Sequence, residues 1–383
     1  MVLKIDVGKA LIPKKGEELP GDTVEIDKSQ SSTVVVLADG LGSGVKANIL
    51  SSLTAKMTVG MLKYGCDLGE VIETLANTLP VCEVRQIAYS TFTILQVFPD
   101  GKAYLAEYDN PKAIIGRERN VIDVPRQTRI ISGRKINEAH FHMDEKSWAV
   151  LVSDGVIHAG IGGIWNLGWS HQRVENYVSR VVSTFQDAQG MCDDLCHVCQ
   201  RLYAGEIGDD VSVATVMARK PRYLTLMIGL PKDKARDKEL LARFLARDGK
   251  LAVAGGSTSQ MVARELGKEI KVNLGSMKNN VPPTGYIEGI DLVTEGTLTI
   301  ERTLQYLREG RKKVSLMYQP DGASRLCSAL LEADDIEILM GTAVNPAHQS
   351  PDLPETLQLK SRMVEDLSHI LMEQGKTVSV TKF

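Results

Sequence analysis

The run Val34-Val-Val-Leu-Ala-Asp-Gly-Leu-Gly-Ser-Gly-Val-Lys46 constrains this chain more than any other stretch. Four apolar residues, Val34 to Leu37, read as a buried strand that runs into a carboxylate at Asp39. Gly40, Gly42 and Gly44 then turn the chain into Val45-Lys-Ala-Asn-Ile-Leu-Ser-Ser-Leu53, where apolar residues fall at helical spacing. A strand that emerges into Asp-Gly, turns on glycine and opens a helix leaves a carboxylate and bare backbone at one rim of a sheet. That rim suits a divalent cation or a phosphate. It equally suits a plain corner whose aspartate caps the helix.

A chain of 383 residues has room for two domains of ordinary size. Hydrophobic content of 43% beside 24% charged residues is that of a soluble globular protein. The net charge of -3 gives no electrostatic case for nucleic acid or an anionic membrane surface. No apolar run reaches spanning length, and Met1-Val-Leu-Lys-Ile-Asp6 lacks the layout of a signal peptide. Six irregularly spaced cysteines do not make a disulfide framework, so a reduced cytoplasm is expected.

Upstream of the opening run, two short strands are expected with Gly21-Asp22 at their junction. Downstream, Asp67 to Leu79 reads as a helix, and Tyr89 to Phe98 with Lys102 to Tyr108 as a hairpin about Pro99-Asp-Gly101. Strand-like runs continue to Lys146-Ser-Trp-Ala-Val-Leu-Val-Ser-Asp-Gly155. Helices are expected over Arg173 to Phe185 and Gln189 to Tyr203, and Gly208-Asp-Asp-Val-Ser-Val-Ala-Thr-Val-Met217 closes this half as a strand. The rhythm changes at Lys220-Pro-Arg222. Beyond it, short apolar strands alternate with helices, which argues for a largely parallel sheet covered by helices. The expected organisation is an α+β first domain over 1–219 and a smaller α/β domain over 222–383.

Asp-Gly alone says little: Asp100-Gly101, Asp248-Gly249 and Asp321-Gly322 are explained as ordinary turns. Asp39-Gly40 and Asp154-Gly155 differ because each follows a strongly apolar strand. Asp209-Asp210, at the start of the last strand, adds a third acidic point at a strand end. Carboxylates gathered this way repel one another unless cations lie between them, and all-oxygen donors favour Mg²⁺ or Mn²⁺ over zinc.

Asp39-Gly-Leu-Gly-Ser-Gly44, Ser153-Asp-Gly155 and Gly208-Asp-Asp-Val-Ser-Val213 together resemble the signature blocks of metal-dependent (PPM-type) serine/threonine protein phosphatases. The similarity is to the bacterial branch typified by stage II sporulation protein E, and it covers about residues 1–219. The resemblance implies an αββα sandwich with two metal ions, Mn²⁺ or Mg²⁺, between the sheets at one end. It implies Asp39, the Gly40 carbonyl, Asp154 and Asp209 as metal ligands, with Asp22 from the first block as a further member; Asp210 either shares the role of Asp209, stands behind the ligands or caps the chain. It also implies two-metal activation of water without a phosphoenzyme, and a phosphoserine or phosphothreonine substrate on a regulatory protein, such as an antagonist of an anti-sigma factor. Leu41 stands where eukaryotic relatives place a histidine proposed to protonate the leaving group, so the general acid is unassigned. Lys46 could grip phosphate or simply be solvated. The alternative is a non-catalytic signalling module in which metal serves structure.

Cys192, Cys196 and Cys199 have a spacing seen in iron–sulfur enzymes, but on a helix they share one face with Leu195 and Leu202, which fits a packed core. His140 and His142 alternate as on an exposed strand face. In the second domain, Gly255-Gly-Ser-Thr-Ser259 lies between an apolar strand and a helix, where backbone amides can hold phosphate. With Thr294-Glu-Gly296 and Asn345-Pro-Ala-His-Gln349, it would gather at the carboxyl edge of a parallel sheet. The expectation there is a small ligand or nucleotide that regulates the phosphatase, against the simpler reading of tight turns.

Overall fold

The computed structural model describes residues 3–29, 31–78, 90–163, 165–276, 282–311, 315–316, 319, 321–343 and 355–383. The chain divides into two compact units, Met1–Lys220 and Pro221–Phe383. Asn345 to Gln349 lies outside the described residues.

The first unit contains strands β1 (Lys4–Ile12), β2 (Thr23–Lys28), β3 (Thr33–Gly40), β4 (Ser90–Val97), β5 (Lys102–Tyr108) and β6 (Ile114–Arg117). It continues with β7 (Asn120–Val121), β8 (Gln127–Ile131), β9 (Arg134–His142), β10 (Ser147–Val152) and β11 (Val211–Arg219). Its helices are α1 (Gly44–Lys63), α2 (Leu68–Thr78), α3 (Asp154–Ile157), α4 (His171–Val181) and α5 (Ala188–Leu202). Two antiparallel sheets result, one ordered β1-β11-β10-β6-β7 and the other β2-β3-β4-β5-β9-β8. The two N-terminal strands therefore part company. β1 pairs with β11 along its whole length, from Lys4 opposite Arg219 to Ile12 opposite Val211, while β2 pairs with β3.

Alternation along β3 explains the layers. Val35 and Leu37 point into a core shared with Leu95 and Leu105 of the same sheet and with Leu151 and Val216 of the other. Val34 and Val36 point the opposite way, onto Val71, Ile72 and Leu75 of α2. On the outer face of the first sheet, Val150, Val152 and Val213 meet Val174 and Val178 of α4 and Met191 and Leu195 of α5. A strand covered on both faces has no polar side, which is why Val34 to Leu37 is uniformly apolar. Each fully enclosed side chain of this kind contributes about 1.5–3 kcal/mol. Helix, sheet, sheet, helix is the αββα arrangement.

The apolar residues at helical spacing at the start of α1 do not face the core. Its buried residues include Ala47, Ser51, Thr54, Ala55 and Thr58, while Val45, Ile49 and Leu53 are exposed. The reason is proximity: a Cβ on Gly40 would lie 2.1 Å from the Ala47 carbonyl oxygen, so only small side chains fit beneath the helix. Hydroxyls and an amide fill that face and tie down the chain before β2. Ser51 Oγ donates to the Gly21 carbonyl at 2.6 Å, and Asn48 Nδ2 donates to the Pro20 carbonyl at 2.8 Å.

The second unit holds strands β12 (Tyr223–Ile228), β13 (Lys250–Ala254), β14 (Lys271–Asn273), β15 (Thr284–Tyr286), β16 (Leu292–Thr294), β17 (Asp335–Met340) and β18 (Thr377–Lys382). Their order is β14-β15-β16-β13-β12-β17-β18. β16, β13, β12, β17 and β18 are parallel neighbours, and β14 and β15 add an antiparallel edge. The helices include α6 (Asp237–Leu245), α7 (Gly256–Leu266), α8 (Thr297–Arg308), Gly322–Glu332 and Glu355–Glu373. Asp321-Gly322 is thus a helix start rather than a plain turn: the Asp321 carboxylate accepts from the Ser324 amide at 2.9 Å as an N-cap. Among the described residues no helix is long and apolar enough to cross a membrane.

Gly8 is where β1 passes closest to α5, and a Cβ there would sit 2.5 Å from the backbone of Ala188 and Gln189. Gly8→Ala should therefore lower the free energy of unfolding by about 1–3 kcal/mol. Gly60→Ala, within α1 where a Cβ meets nothing within 4 Å, should instead raise it by about 0.4–1 kcal/mol. Urea unfolding of both variants beside the parent checks the two signs.

Candidate metal centre

The strand-end carboxylates arrive from both sheets. Asp39 and Gly40 end β3, in register with Thr91 and Ser90 of β4. Asp22 directly precedes β2, whose Thr23 lies opposite Ala38. From the other sheet, Asp154 opens α3 immediately after β10 and Ser153. Asp209 and Asp210 lead into β11, where Val213 pairs with Val152. Positive φ angles at Gly42 (104°) and Gly44 (70°) make the tight turn from β3 into α1.

The carboxyl groups act on one another. Burial, reinforced by the charges of Asp22, Asp154 and Asp209, pushes the Asp39 carboxyl from near 3.8 up to about 9. Burial also pushes Asp22 up to about 7, with the Asp210 and Asp154 charges adding and the Ser212 and Ser153 hydroxyls opposing. Asp154 is raised by burial and then by Asp209, against the opposing charge of the exposed His158. Asp210 is raised by burial, although the backbone amides of Lys14 and Gly21 favour its charged form. Four carboxyls disturbed together at one end of a sandwich are a functional-site signature.

Among the described residues no three carboxylate, imidazole or thiol groups already stand at the spacing of a closed metal cage. The donor set nevertheless fits a hard divalent cation. It is entirely oxygen, and Asp22, only 2% exposed, keeps Oδ2 without a hydrogen-bond partner. A buried carboxylate oxygen with no donor is costly unless a cation satisfies it. Asp22, Asp39, the Gly40 carbonyl, Asp154 and Asp209 are the groups able to hold such ions.

Asp210 differs from its neighbour. Its Oδ1 accepts from the Lys14 amide and its Oδ2 from the Gly21 amide, both at 2.8 Å. Lys46, on the first turn of α1, is exposed. A supporting contact that no local pattern announces comes from Tyr203, whose hydroxyl donates to the Gly155 carbonyl at 2.8 Å from 48 residues away.

Cys192, Cys196 and Cys199 are buried in the core beneath α5. Burial pushes the thiols of Cys192 and Cys196 up to about 12 and Cys199 higher still, and Cys192 Sγ donates to Thr215 Oγ1 at 3.2 Å. They pack as small apolar residues. His140 and His142 lie on the exposed face of β9.

In the second unit, Gly255 to Ser259 forms the turn and first residues of α7. Thr258 Oγ1 accepts from the Gly229 amide at 3.1 Å, and Ser259 Oγ donates to the Gly255 carbonyl at 2.8 Å. The Ser259 hydroxyl thus serves the turn and the Thr258 hydroxyl the chain after β12, while Gly256 and Ser257 are exposed. Gly255 donates its amide to the Thr294 carbonyl at 3.0 Å, so the starts of α7 and α8 lie side by side.

Residues 29–219 match the model of the family described as Stage II sporulation protein E (SpoIIE). This part of the chain belongs to that family. SpoIIE-type domains are PPM-type phosphatases, so the first unit is a phosphoprotein phosphatase domain. No curated protein matches the chain. Among solved structures, the phosphatase domain and a regulatory fragment of SpoIIE from Bacillus subtilis align at 20% identity and a TM-score of 0.49, over 57% of this chain and 63% of that one. The chain thus spans less than two thirds of that relative. The RsbU and RsbW domains of a Mycobacterium tuberculosis protein align at 14% identity and a TM-score of 0.48, over 70% of each chain. RsbX, solved in complex with magnesium, aligns at 16% identity and a TM-score of 0.41, over 57% of this chain and all of that one.

The raised carboxyls have a pH consequence. In metal-free protein Asp22 and Asp39 hold protons that the unfolded chain releases near 3.8. Their contribution to stability is therefore complete below that pH and is lost as pH rises towards about 7 and about 9. Metal-free protein should melt lower at pH 8 than at pH 5.5. Asp39→Asn should shrink that difference and raise the pH 8 melting temperature by about 2–4 °C for each ~1 kcal/mol of repulsion removed. Calorimetric melting in a chelating buffer measures both.

Proposed function

We propose that the chain is a Mn²⁺- or Mg²⁺-dependent phosphatase that hydrolyses phosphoserine or phosphothreonine on a regulatory protein. The observation that carries this reading is the meeting of Asp22 and Asp39 from one sheet with Asp154 and Asp209 from the other, in a domain of the SpoIIE family. Two bound cations would lower the pKa of a shared water and neutralise phosphate oxygens for in-line displacement. The chain's own work is to hold them. Asp39, whose carboxyl feels Asp22, Asp154 and Asp209 together, would hold them in company with those three. The Gly40 carbonyl, beside it at the end of β3, supplies a neutral oxygen.

Rigidity comes from close backbone packing around the ligands. A Cβ on Gly155 would lie 2.1 Å from the Asp210 carbonyl oxygen, so glycine lets the Asp154 turn sit directly on the chain that carries Asp209. Such fixed geometry favours a reaction that depends on positioning and charge rather than on a nucleophilic side chain. Within the family, a phosphorylated antagonist of an anti-sigma factor is the substrate type this reading favours.

Manganese-dependent hydrolysis of p-nitrophenyl phosphate and of a phosphoserine peptide tests it. Asp39→Asn and Asp154→Asn should each lower kcat/KM by at least about 100-fold, the loss expected when several kcal/mol of charge stabilisation goes. Turnover that persists in both variants, or that ignores EDTA, would overturn the assignment.

A further inference from the structure

Three connections converge on Asp210, which is 4% exposed. Its carboxylate accepts from the amides of Lys14 and Gly21, both at 2.8 Å, and Gly21 directly precedes Asp22. Its carbonyl oxygen accepts from Ser153 Oγ at 3.0 Å, and Ser153 directly precedes Asp154. Ser153 Oγ in turn accepts from the Ser212 amide at 2.9 Å, and the Ser153 amide donates to the Ser212 carbonyl at 3.0 Å. Through the chain itself Asp210 is bonded to Asp209, whose Oδ1 accepts from the Asp210 amide at 3.0 Å.

We infer that Asp210 is a positioning residue: it clamps the neighbours of Asp22, Asp154 and Asp209 so that carboxylates from two sheets hold one geometry, and it does not itself ligate metal. Both its carboxylate oxygens already serve backbone donors, whereas Asp22 keeps a buried oxygen free. The side chain spans 189 residues of sequence to reach Gly21 and 196 to reach Lys14. Groups that orient metal ligands in this way typically change metal affinity or activity by 10–100-fold when removed.

The inference rests on the metal reading above, and the test separates the two. Asp210→Asn puts an amide nitrogen against one of the two N–H donors and so breaks one clamp. Hydrogen exchange followed by mass spectrometry, in EDTA, should show faster exchange across residues 13–22 in this variant with β3 unchanged. Calorimetric Mn²⁺ titration should show affinity weaker by about 10-fold or more. The Mn²⁺ concentration for half-maximal activity should rise by more than kcat falls, whereas Asp209→Asn should lose turnover at every Mn²⁺ concentration. Lys14→Pro, which deletes one donor amide without touching the carboxylates, should give the same exchange signature with a smaller affinity change, and it keeps the test alive if Asp210→Asn fails to fold. Unchanged exchange, or turnover lost at every Mn²⁺ concentration with exchange unchanged, would overturn the positioning role. Normal Mn²⁺ binding in Asp39→Asn would instead overturn the metal reading itself, leaving the exchange result to stand or fall alone.

Discussion

The architecture of the first unit depends on one uncomfortable fact: several carboxylates are held at the end of a two-sheet sandwich, partly out of water. Burial and mutual repulsion both disfavour their charged forms, as the upward shifts of Asp22 and Asp39 express. A fold tolerates such a cluster when it serves chemistry, and stability is then drawn from elsewhere. Here it comes from three apolar layers, one between the sheets and one under each helical face.

Close backbone approach is the second constraint. Gly40 lets α1 lie against the end of β3, and Gly155 lets the Asp154 turn lie on the Asp210 carbonyl. The small, hydroxyl-bearing underside of α1 follows from that proximity. Its Ser51 and Asn48 then grip the carbonyls of Gly21 and Pro20, while Asp210 holds the Gly21 amide. The segment that leads into Asp22 is thus held through both the amide and the carbonyl of Gly21.

Much of this was legible in the residues. Uniformly apolar strands ending in Asp-Gly mark buried strands with a carboxylate at the exit, because Val34 to Leu37 must face apolar layers on both sides. The β4–β5 hairpin follows from Pro99-Asp-Gly101, with Gly101 at a φ of 89°. Long-range choices were not legible. Nothing local tells β1 to leave β2 and pair with β11, since that register depends on a strand some 200 residues away. The exposed Val45, Ile49 and Leu53 mislead a periodicity argument, because steric closeness to Gly40 outweighs hydrophobicity on that face. Asp321 was hidden for another reason. An aspartate before glycine reads as a turn, and only the Ser324 amide reveals it as a cap. The twin bonds of Asp210 to Lys14 and Gly21 carry no signal in either segment alone.

The most direct measurement is anomalous diffraction at the manganese edge from crystals of the full chain grown with Mn²⁺. The account predicts two manganese peaks ligated by Asp39, Asp154, Asp209 and Asp22, with Asp210 still bonded to the amides of Lys14 and Gly21. Manganese bound elsewhere, or none near Asp39 at saturating concentration, would contradict it.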